Sequence, residues 1–186
     1  MVESSFRMDI AELKRLVELY DLETYLFETV SKDFEQKQAL TTFEFFAIIT
    51  WKSNRSKTKV RDGLAAAGKS ASDLMRDVSR AEKTEAKVET LLRIGGIGLP
   101  IASTILTVCY PDEFTVLDIR AWTTLRDVSA ESLPSRYPRD SGDYLRYCQV
   151  CRDLASEAGL SLRNLDRGLW AKNWEDNLRA FIMNKA

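Results

Sequence analysis

A cluster of glycines between two apolar stretches constrains the fold of this chain more than any other feature. In the segment LLRIGGIGLPIASTIL, residues 91–106, three glycines fall within four positions, at Gly95, Gly96 and Gly98. Each glycine in a helix interior costs roughly 0.8–1 kcal/mol relative to alanine. The cluster therefore predicts a break between two helices, with a short turn of the form Gly-apolar-Gly.

This turn has two interpretations that the glycines alone do not separate. A turn without side chains can approach a phosphate closely and direct successive backbone N–H groups at it. The second helix, beginning near Leu99 with Pro100 in its first turn, would add the positive end of its dipole. Alternatively, Gly96-Ile97-Gly98 is only a closely packed connection between two helices.

Helical signals continue along nearly the whole chain. Thr41-x-x-Glu44 and Ser79-x-x-Glu82 have the spacing of capping boxes ahead of apolar runs. The segment EFTVLD, residues 113–118, is a candidate for one short strand. Apolar residues recur at helical intervals near the C-terminus, and we expect the two tryptophans of this stripe to lie in the core: Trp170, Trp174, Leu178, Phe181 and Ile182. The expected fold class is all-α.

Composition excludes several classes of function. The 186 residues include no histidine, which rules out imidazole bases, Ser-His-Asp or Cys-His nucleophiles and histidine metal ligands. Cys148-x-x-Cys151 lacks a second pair of ligands, so we expect no metal site. Since the net charge is −1, a nucleic acid would have to be held by a local basic patch.

The distribution of apolar residues predicts a cytoplasmic protein. No apolar run reaches the ~20 residues that a membrane-spanning helix needs. The N-terminal sequence MVESSFRMDI lacks the apolar core of a signal peptide. We therefore expect no contact with a membrane.

Asp118 follows the second predicted helix in a context that resembles a known family. It lies 18 residues beyond Pro100, after CYPDEFTVL and at the start of a predicted helix, DIRAWTTL. From Ile94 to Leu125, about 32 residues, the chain resembles the helix-hairpin-helix superfamily of DNA glycosylases. In that family a glycine-containing hairpin precedes an essential aspartate.

The resemblance implies one domain over residues 1–186, made of two helical lobes with the active site in the cleft between them. One lobe would be a six-helix barrel over about 27–115, with the hairpin at 81–109. The other lobe would combine about 1–26 with 116–186.

The resemblance also implies that Asp118 is the catalytic residue. Breaking an N-glycosidic bond builds positive charge on the sugar, and a carboxylate can stabilise that charge and orient the attacking water. Alternatively, Asp118 is a helix N-cap, and one residue can have both roles. Asp166 in LDRGLW has the same local pattern, and we expect it to be a cap.

Departures from the family narrow the expected activity. Relatives that also cleave the DNA backbone carry a lysine two residues after the second hairpin glycine, where this chain has Pro100. Its three cysteines are too few for the four-cysteine iron–sulfur cluster of one branch, so we expect no cofactor. Arg120 stands where many relatives have histidine. The chain would then be a monofunctional glycosylase without lyase activity, which removes a damaged base in repair or a modified base from phage DNA.

A basic run behind Trp51 is the second candidate for contact with double-stranded DNA. The sequence WKSNRSKTKVR, residues 51–61, places five basic residues after an apolar helix. Alternatively, the run is a solvated loop. The residues that we expect to contact DNA are Lys52, Asn54, Arg55, Lys57, Gly96, Ile97, Gly98, Pro100 and Arg120.

Two tryptophans are candidates for the base pocket. Trp51 begins the basic run, and Trp122 lies four residues past Asp118, although packing in the core is the favoured role of Trp122. We expect a monomer that flips one base into the cleft. The alternative is a non-catalytic helix-hairpin-helix module that clamps phosphates. A helical adaptor for proteins ranks last, because it would need no glycine turn.

Overall fold

The structure is a computed structural model that describes residues 9–128, 133 and 136–183. The helices are α1 (Ile10–Tyr20), α2 (Leu22–Thr24), α3 (Ser31–Lys37), α4 (Thr42–Ser53), α5 (Lys57–Ala66), α6 (Ala71–Arg80), α7 (Thr84–Leu92), α8 (Leu99–Cys109), α9 (Ile119–Val128), α10 (Ser141–Ala158) and α11 (Leu162–Met183). A π-helical turn, Tyr25–Val30, joins α2 to α3, and a 3-10 turn, Asn54–Ser56, joins α4 to α5. The described residues contain no strand, which confirms the prediction of an all-α fold.

Helix α8 forms the centre of the fold because its sequence is apolar on every side. All of its residues from Ile101 to Cys109 are buried, and α3, α4 and α7 pack around it. The facing side of α4 contributes Phe45, Ile48 and Ile49, which are fully buried. Burying one such side chain stabilises the fold by roughly 1.5–3 kcal/mol. The first turn of α8, and with it the glycine turn, is therefore fixed on a well-packed core.

Helix starts follow local capping chemistry, with one departure from prediction. At the start of α4 the Glu44 amide donates to Thr41 Oγ1 at 3.2 Å, and the Thr41 amide donates to Glu44 Oε2 at 2.7 Å, which confirms the capping box. The box predicted at Ser79 and Glu82 is wrong, because Ser79 lies inside α6. Helix α7 begins only at Thr84.

The glycine turn joins α7 to α8 and packs tightly on α5. Gly96 has φ +87°, a left-handed conformation that favours glycine. A Cβ atom there would lie 2.6 Å from the backbone carbonyl carbon of Lys59, and one at Gly63 would lie 1.9 Å from the carbonyl oxygen of Gly95. A Cβ atom at Gly98 would meet nothing closer than 3.9 Å. Close packing therefore accounts for Gly96 and for Gly63 on α5, but not for Gly98.

The C-terminal apolar residues are not in the core, contrary to the prediction for the two tryptophans. Helix α11 packs on α9 and on α10, and α10 also contacts α7. The buried residues of α11 end at Leu169, so the helix extends past the packed part of the molecule. The residues beyond that point are exposed: Trp170, Trp174, Leu178, Phe181 and Ile182.

Three expectations concern the chain as a whole. None of the helices in the described part of the chain is both long enough and apolar enough to cross a membrane. The boundary between lobes near residue 115 stays a prediction. The expectation about a signal peptide concerns mostly residues 1–8, which lie outside the described part.

Candidate functional site

An extended segment between α8 and α9 leads to Asp118. This EFTVLD segment, considered as a possible strand, has no sheet partner among the described residues. Its backbone is held by side chains of neighbouring helices. The Leu117 amide donates to Ser103 Oγ on α8 at 2.9 Å, and the hydroxyls of Tyr144 and Tyr147 on α10 donate to carbonyl oxygens of the segment. Because these bonds satisfy buried backbone groups, they fix the place where Asp118 leaves the core.

The carboxylate of Asp118 is bound at both oxygens. Its Oδ1 atom accepts a hydrogen bond from the backbone N–H of Arg120 at 2.9 Å, so Asp118 is the N-cap of α9. Its Oδ2 atom accepts a hydrogen bond from the Lys52 ammonium at 2.9 Å. Burial alone would raise the pKa of Asp118, but the hydrogen bonds and charges of Lys52 and Arg120 together outweigh burial and lower it. Asp118 is therefore both a cap and a carboxylate that is ionised at neutral pH.

A cavity of about 400 Å³ opens beside Asp118. Its volume lies in the ~300–1,000 Å³ range of small-molecule sites. The walls come from α2, α4, the EFTVLD segment and α11, and they include the aromatic rings of Trp51 and Trp170. Three carboxylates and three cations line it: Glu23, Asp118, Asp166, Lys52, Arg163 and Arg167. A ligand in this cavity would therefore meet both aromatic faces and charged groups.

Arg163 connects the charged groups on the α11 side of the cavity. Its guanidinium donates to Glu23 Oε1 at 2.6 Å, pairs with Asp166 and lies 5.0 Å from the centre of the Trp51 ring. Asp166 is only 5% exposed, and burial raises its pKa to about 6, although Arg163 acts in the opposite direction. The prediction that Asp166 is an N-cap is wrong, because Ser161 caps the first turn of α11.

The two tryptophans predicted for the base pocket have different environments. Trp51 lines the cavity. Trp122 is buried in the core, where it packs edge-on against Tyr137, and it does not line the cavity. Arg120 is exposed, with its guanidinium 5.0 Å from the centre of the Trp170 ring. Of the two tryptophans predicted for the base pocket, only Trp51 lines the cavity.

A second depression, a groove of about 580 Å³, follows the glycine turn. The turn residues predicted to bind DNA line it: Gly96, Ile97, Gly98 and Pro100. Ile97 is buried, and its backbone N–H donates to the carbonyl oxygen of Ile94 at 3.0 Å. Gly98 precedes α8 and supplies no side chain to cap it, which leaves the positive end of the helix dipole facing the groove.

Most of the basic-run residues predicted to contact DNA do not line the groove. Lys52, which is predicted to contact DNA, lines the groove, and Ser53, Ser56 and Lys59 line it as well. Asn54, Arg55 and Lys57 are exposed in the adjoining turn and do not line the groove. After Lys52 and Ser53, every third residue of the run lines the groove, at Ser56 and Lys59.

The three cysteines are structural. Cys109, Cys148 and Cys151 are free and buried, and burial raises the pKa of each thiol. Such thiols react slowly because the thiolate is the reactive form. In the described part of the chain, no group of three candidate ligands is placed to hold a metal ion.

The α11 side of the cavity was not predicted from the sequence. Arg163, Asp166, Arg167 and Trp170 recur at intervals of three and four residues, so they share one face of a helix. That spacing indicates a shared helix face, whereas the local pattern around Asp166 predicts only an N-cap. Glu23 lies 140 residues from Arg163 in sequence, and no local pattern connects them.

Lys52 is the residue that joins the two depressions, since it lines both the cavity and the groove. Its ammonium can therefore pair with Asp118, as observed, or with an anion in the groove. Asp118, predicted to be catalytic, and the glycine turn, predicted to bind phosphate, are therefore neighbours. No family model, curated protein or solved structure matches this chain, so its function is inferred from this arrangement of residues.

Proposed function

We propose that this protein is a monofunctional DNA glycosylase that hydrolyses the N-glycosidic bond of a flipped damaged or modified base. The observation that carries the proposal is the ionised carboxylate of Asp118, which lies in a cavity beside the glycine-lined groove. A carboxylate next to DNA phosphates is unfavourable for binding alone, since the charges repel. Its place is explained if the cavity receives a sugar that becomes positively charged.

The chemistry follows from the charge that develops on the sugar. As the bond between C1′ and the base nitrogen breaks, its electron pair leaves with the base and C1′ becomes cationic. At ~4 Å and an effective dielectric constant of ~20, a carboxylate stabilises a unit charge by ~4 kcal/mol, which is nearly a thousandfold in rate. Asp118 also accepts the proton of the water that adds to C1′.

The groove is where DNA would be held. The backbone of the glycine turn and the start of α8 offer N–H groups and a positive dipole to one phosphate. Lys59 and the hydroxyls of Ser53 and Ser56 extend this surface along the strand. Because all of these contacts go to the backbone, binding would not depend on base sequence.

The cavity is where the flipped base would sit. Trp51 supplies a flat face for stacking, and flipping costs a few kcal/mol that contacts in the pocket must offset. Trp51 and Lys52 belong to the first predicted lobe, and the other lining residues belong to the second. This distribution supports a cleft between two lobes.

Release of a base from defined duplexes tests the proposal directly. Each duplex carries one uracil, 8-oxoguanine, 5-hydroxymethylcytosine or 7-methylguanine, and abasic sites are revealed by alkali. Wild-type protein should produce abasic sites in at least one duplex. Binding of every duplex without release of any base would instead favour the non-catalytic helix-hairpin-helix module.

Phosphate contacts should make DNA affinity fall steeply as salt is raised. Each contact contributes about 0.9 log units of affinity per log unit of salt. Changing Lys52 and Lys59, the two cations that line the groove, to glutamine together should flatten that slope by roughly two units. The measurement is a fluorescence-anisotropy titration at several salt concentrations. Lys37→Gln on α3 is the matched control and should keep the wild-type slope, and an unchanged slope in the double variant would show that the basic run does not touch DNA.

Product strands should remain intact until heat or alkali cleaves the abasic site. Pro100 supplies no amine to the turn, so borohydride should trap no covalent complex with DNA. The assay is denaturing gel electrophoresis after reduction. A trapped complex would make the enzyme bifunctional and this prediction wrong. Lys52→Gln would then test whether Lys52 supplies the amine, since its ammonium lies 2.9 Å from the Asp118 carboxylate. Loss of trapping in that variant would identify Lys52 as the nucleophile.

A further inference from the structure

The cavity contains a second carboxyl group whose environment is opposite to that of Asp118. Asp118 is bound to Lys52 and to a backbone amide, and both contacts favour its ionised form. Asp166, on the α11 wall of the same cavity, is 5% exposed and shares a single guanidinium, that of Arg163, with Glu23. Two carboxyl groups in one site, one kept ionised and one hard to ionise, form the usual pattern of a stabilising base and a proton donor.

We infer that Asp166 is the general acid of the proposed glycosylase: it protonates the departing base while Asp118 stabilises the sugar. The inference rests on the proposed function. A neutral base leaves as an anion unless it receives a proton, so a proton donor in the pocket lowers the barrier. The substrate class is thereby narrowed to bases that are neutral before departure. A cationic N-alkylated purine leaves without needing a proton.

The atoms balance over one cycle. The C1′–N bond breaks, its electron pair goes to the base nitrogen, and the Asp166 carboxyl proton goes to a ring nitrogen or exocyclic oxygen of the base. Water adds to C1′ and gives its proton to Asp118. Asp166 then takes up a proton from solvent, Asp118 releases one, and the net reaction is hydrolysis.

The surroundings of Asp166 determine the pH at which it holds a proton. Charged or titratable groups face it from four elements and from its own helix: Glu23 on α2, Lys52 on α4, Asp118 before α9, Tyr147 and Cys151 on α10, and Arg163. Burial is the largest influence and raises the pKa to about 6, and the charges of Asp118 and Glu23 add to this effect. Lys52 and Arg163 oppose it without cancelling it.

The two carboxyl groups therefore give activity a limited pH range. Asp166 must be protonated, so the rate should fall as pH rises above about 6. Asp118 must be ionised. Because its pKa is lowered, protonation of Asp118 should reduce the rate only at much lower pH. Between these limits both groups are in the active form.

The test is the pH dependence of single-turnover base release, measured on the same panel of duplexes. For wild-type protein the rate on a neutral base should fall about tenfold per pH unit well above pH 6. At the pH optimum of the wild type, Asp166→Asn should release that base at least ~10²-fold more slowly. The fall in rate above pH 6 should be lost in this variant. Asp176→Asn, an exposed change on the same helix, should leave rate and profile unchanged.

Asp166→Asn also removes the buried partner of Arg163, so folding must be checked. Asp166→Glu keeps a carboxyl group and should restore part of the rate together with the pH dependence. Thermal unfolding, and affinity for a duplex with a stable abasic-site analogue, report on the fold of both variants. A soluble Asp166→Glu protein with a flat profile would contradict the inference.

The remaining outcomes separate this inference from the function on which it rests. If Asp166→Asn releases a neutral base at the wild-type rate and with the wild-type profile, Asp166 is not the acid. Release confined to 7-methylguanine also overturns the acid role, although the glycosylase stands. Release of no base from any duplex overturns both.

Discussion

Asp118→Asn should slow base release by at least ~10²–10⁴-fold while the protein stays folded. The change removes the charge that stabilises the sugar cation and the group that accepts the proton of water. It keeps the size of the side chain and an oxygen that can accept the Arg120 amide, so α9 keeps its cap. Loss of the ion pair with Lys52 should cost about 1–2 kcal/mol of unfolding free energy. Single-turnover release and thermal unfolding measure the two effects.

DNA affinity separates this result from a general loss of function. A carboxylate near phosphates is repulsive, so Asp118→Asn should bind the duplex as tightly as wild type, or more tightly. Asp140→Asn is the matched control, because Asp140 caps α10 through the amide of Asp143 and is exposed. It should release bases at the wild-type rate. If Asp118→Asn also releases bases at that rate, Asp118 is only a cap and the mechanism is wrong.

Some features that depend on local sequence were predicted correctly, although the capping patterns at Ser79 and Asp166 were not. The glycine cluster broke the helix where expected, and α8 begins at Leu99, the residue named from the sequence. The capping box at Thr41 formed because its two partners lie three residues apart. Such signals are decided by backbone hydrogen bonding within one turn, which the sequence displays directly.

Features that depend on packing between distant parts of the chain could not be predicted in the same way. The apolar residues of α11 have helical periodicity, but periodicity shows only which face they share and not whether another helix covers it. Beyond Leu169 none of them is buried. Asp118 and Asp166 have similar local sequences, yet one precedes a helix and the other lies inside one.

The most informative contact of the site joins residues far apart in sequence. Lys52 and Asp118 are 66 residues apart, and nothing local to either identifies the other. Lys52 was predicted to meet a phosphate, and its place in both depressions leaves that role open to it. What the sequence lacked was the direction of α4 relative to the EFTVLD segment, which α8 determines by packing against both.

Gly63→Ala should have the largest effect on stability of any single methyl added to the described part of the chain. The new Cβ atom would lie 1.9 Å from the Gly95 carbonyl oxygen and 2.6 Å from its carbon, both of which belong to backbone. Neither α5 nor the turn can give way by rotating a side chain. We expect a loss of about 3 kcal/mol or more, which for a domain of this size lowers Tm by roughly 6–12 °C.

Gly168→Ala is the matched control, because Gly168 also lies inside a helix but a Cβ atom there would meet nothing within 4 Å. It should raise stability by up to ~1 kcal/mol, since alanine is the better helix former. The two variants make the same chemical change with opposite expected signs. Gly63→Ala should also weaken DNA binding, because displacement of Gly95 moves the turn that would hold the phosphate. If Gly63→Ala is as stable as wild type, α5 and the turn are not in the contact described, and the groove between them has a different shape.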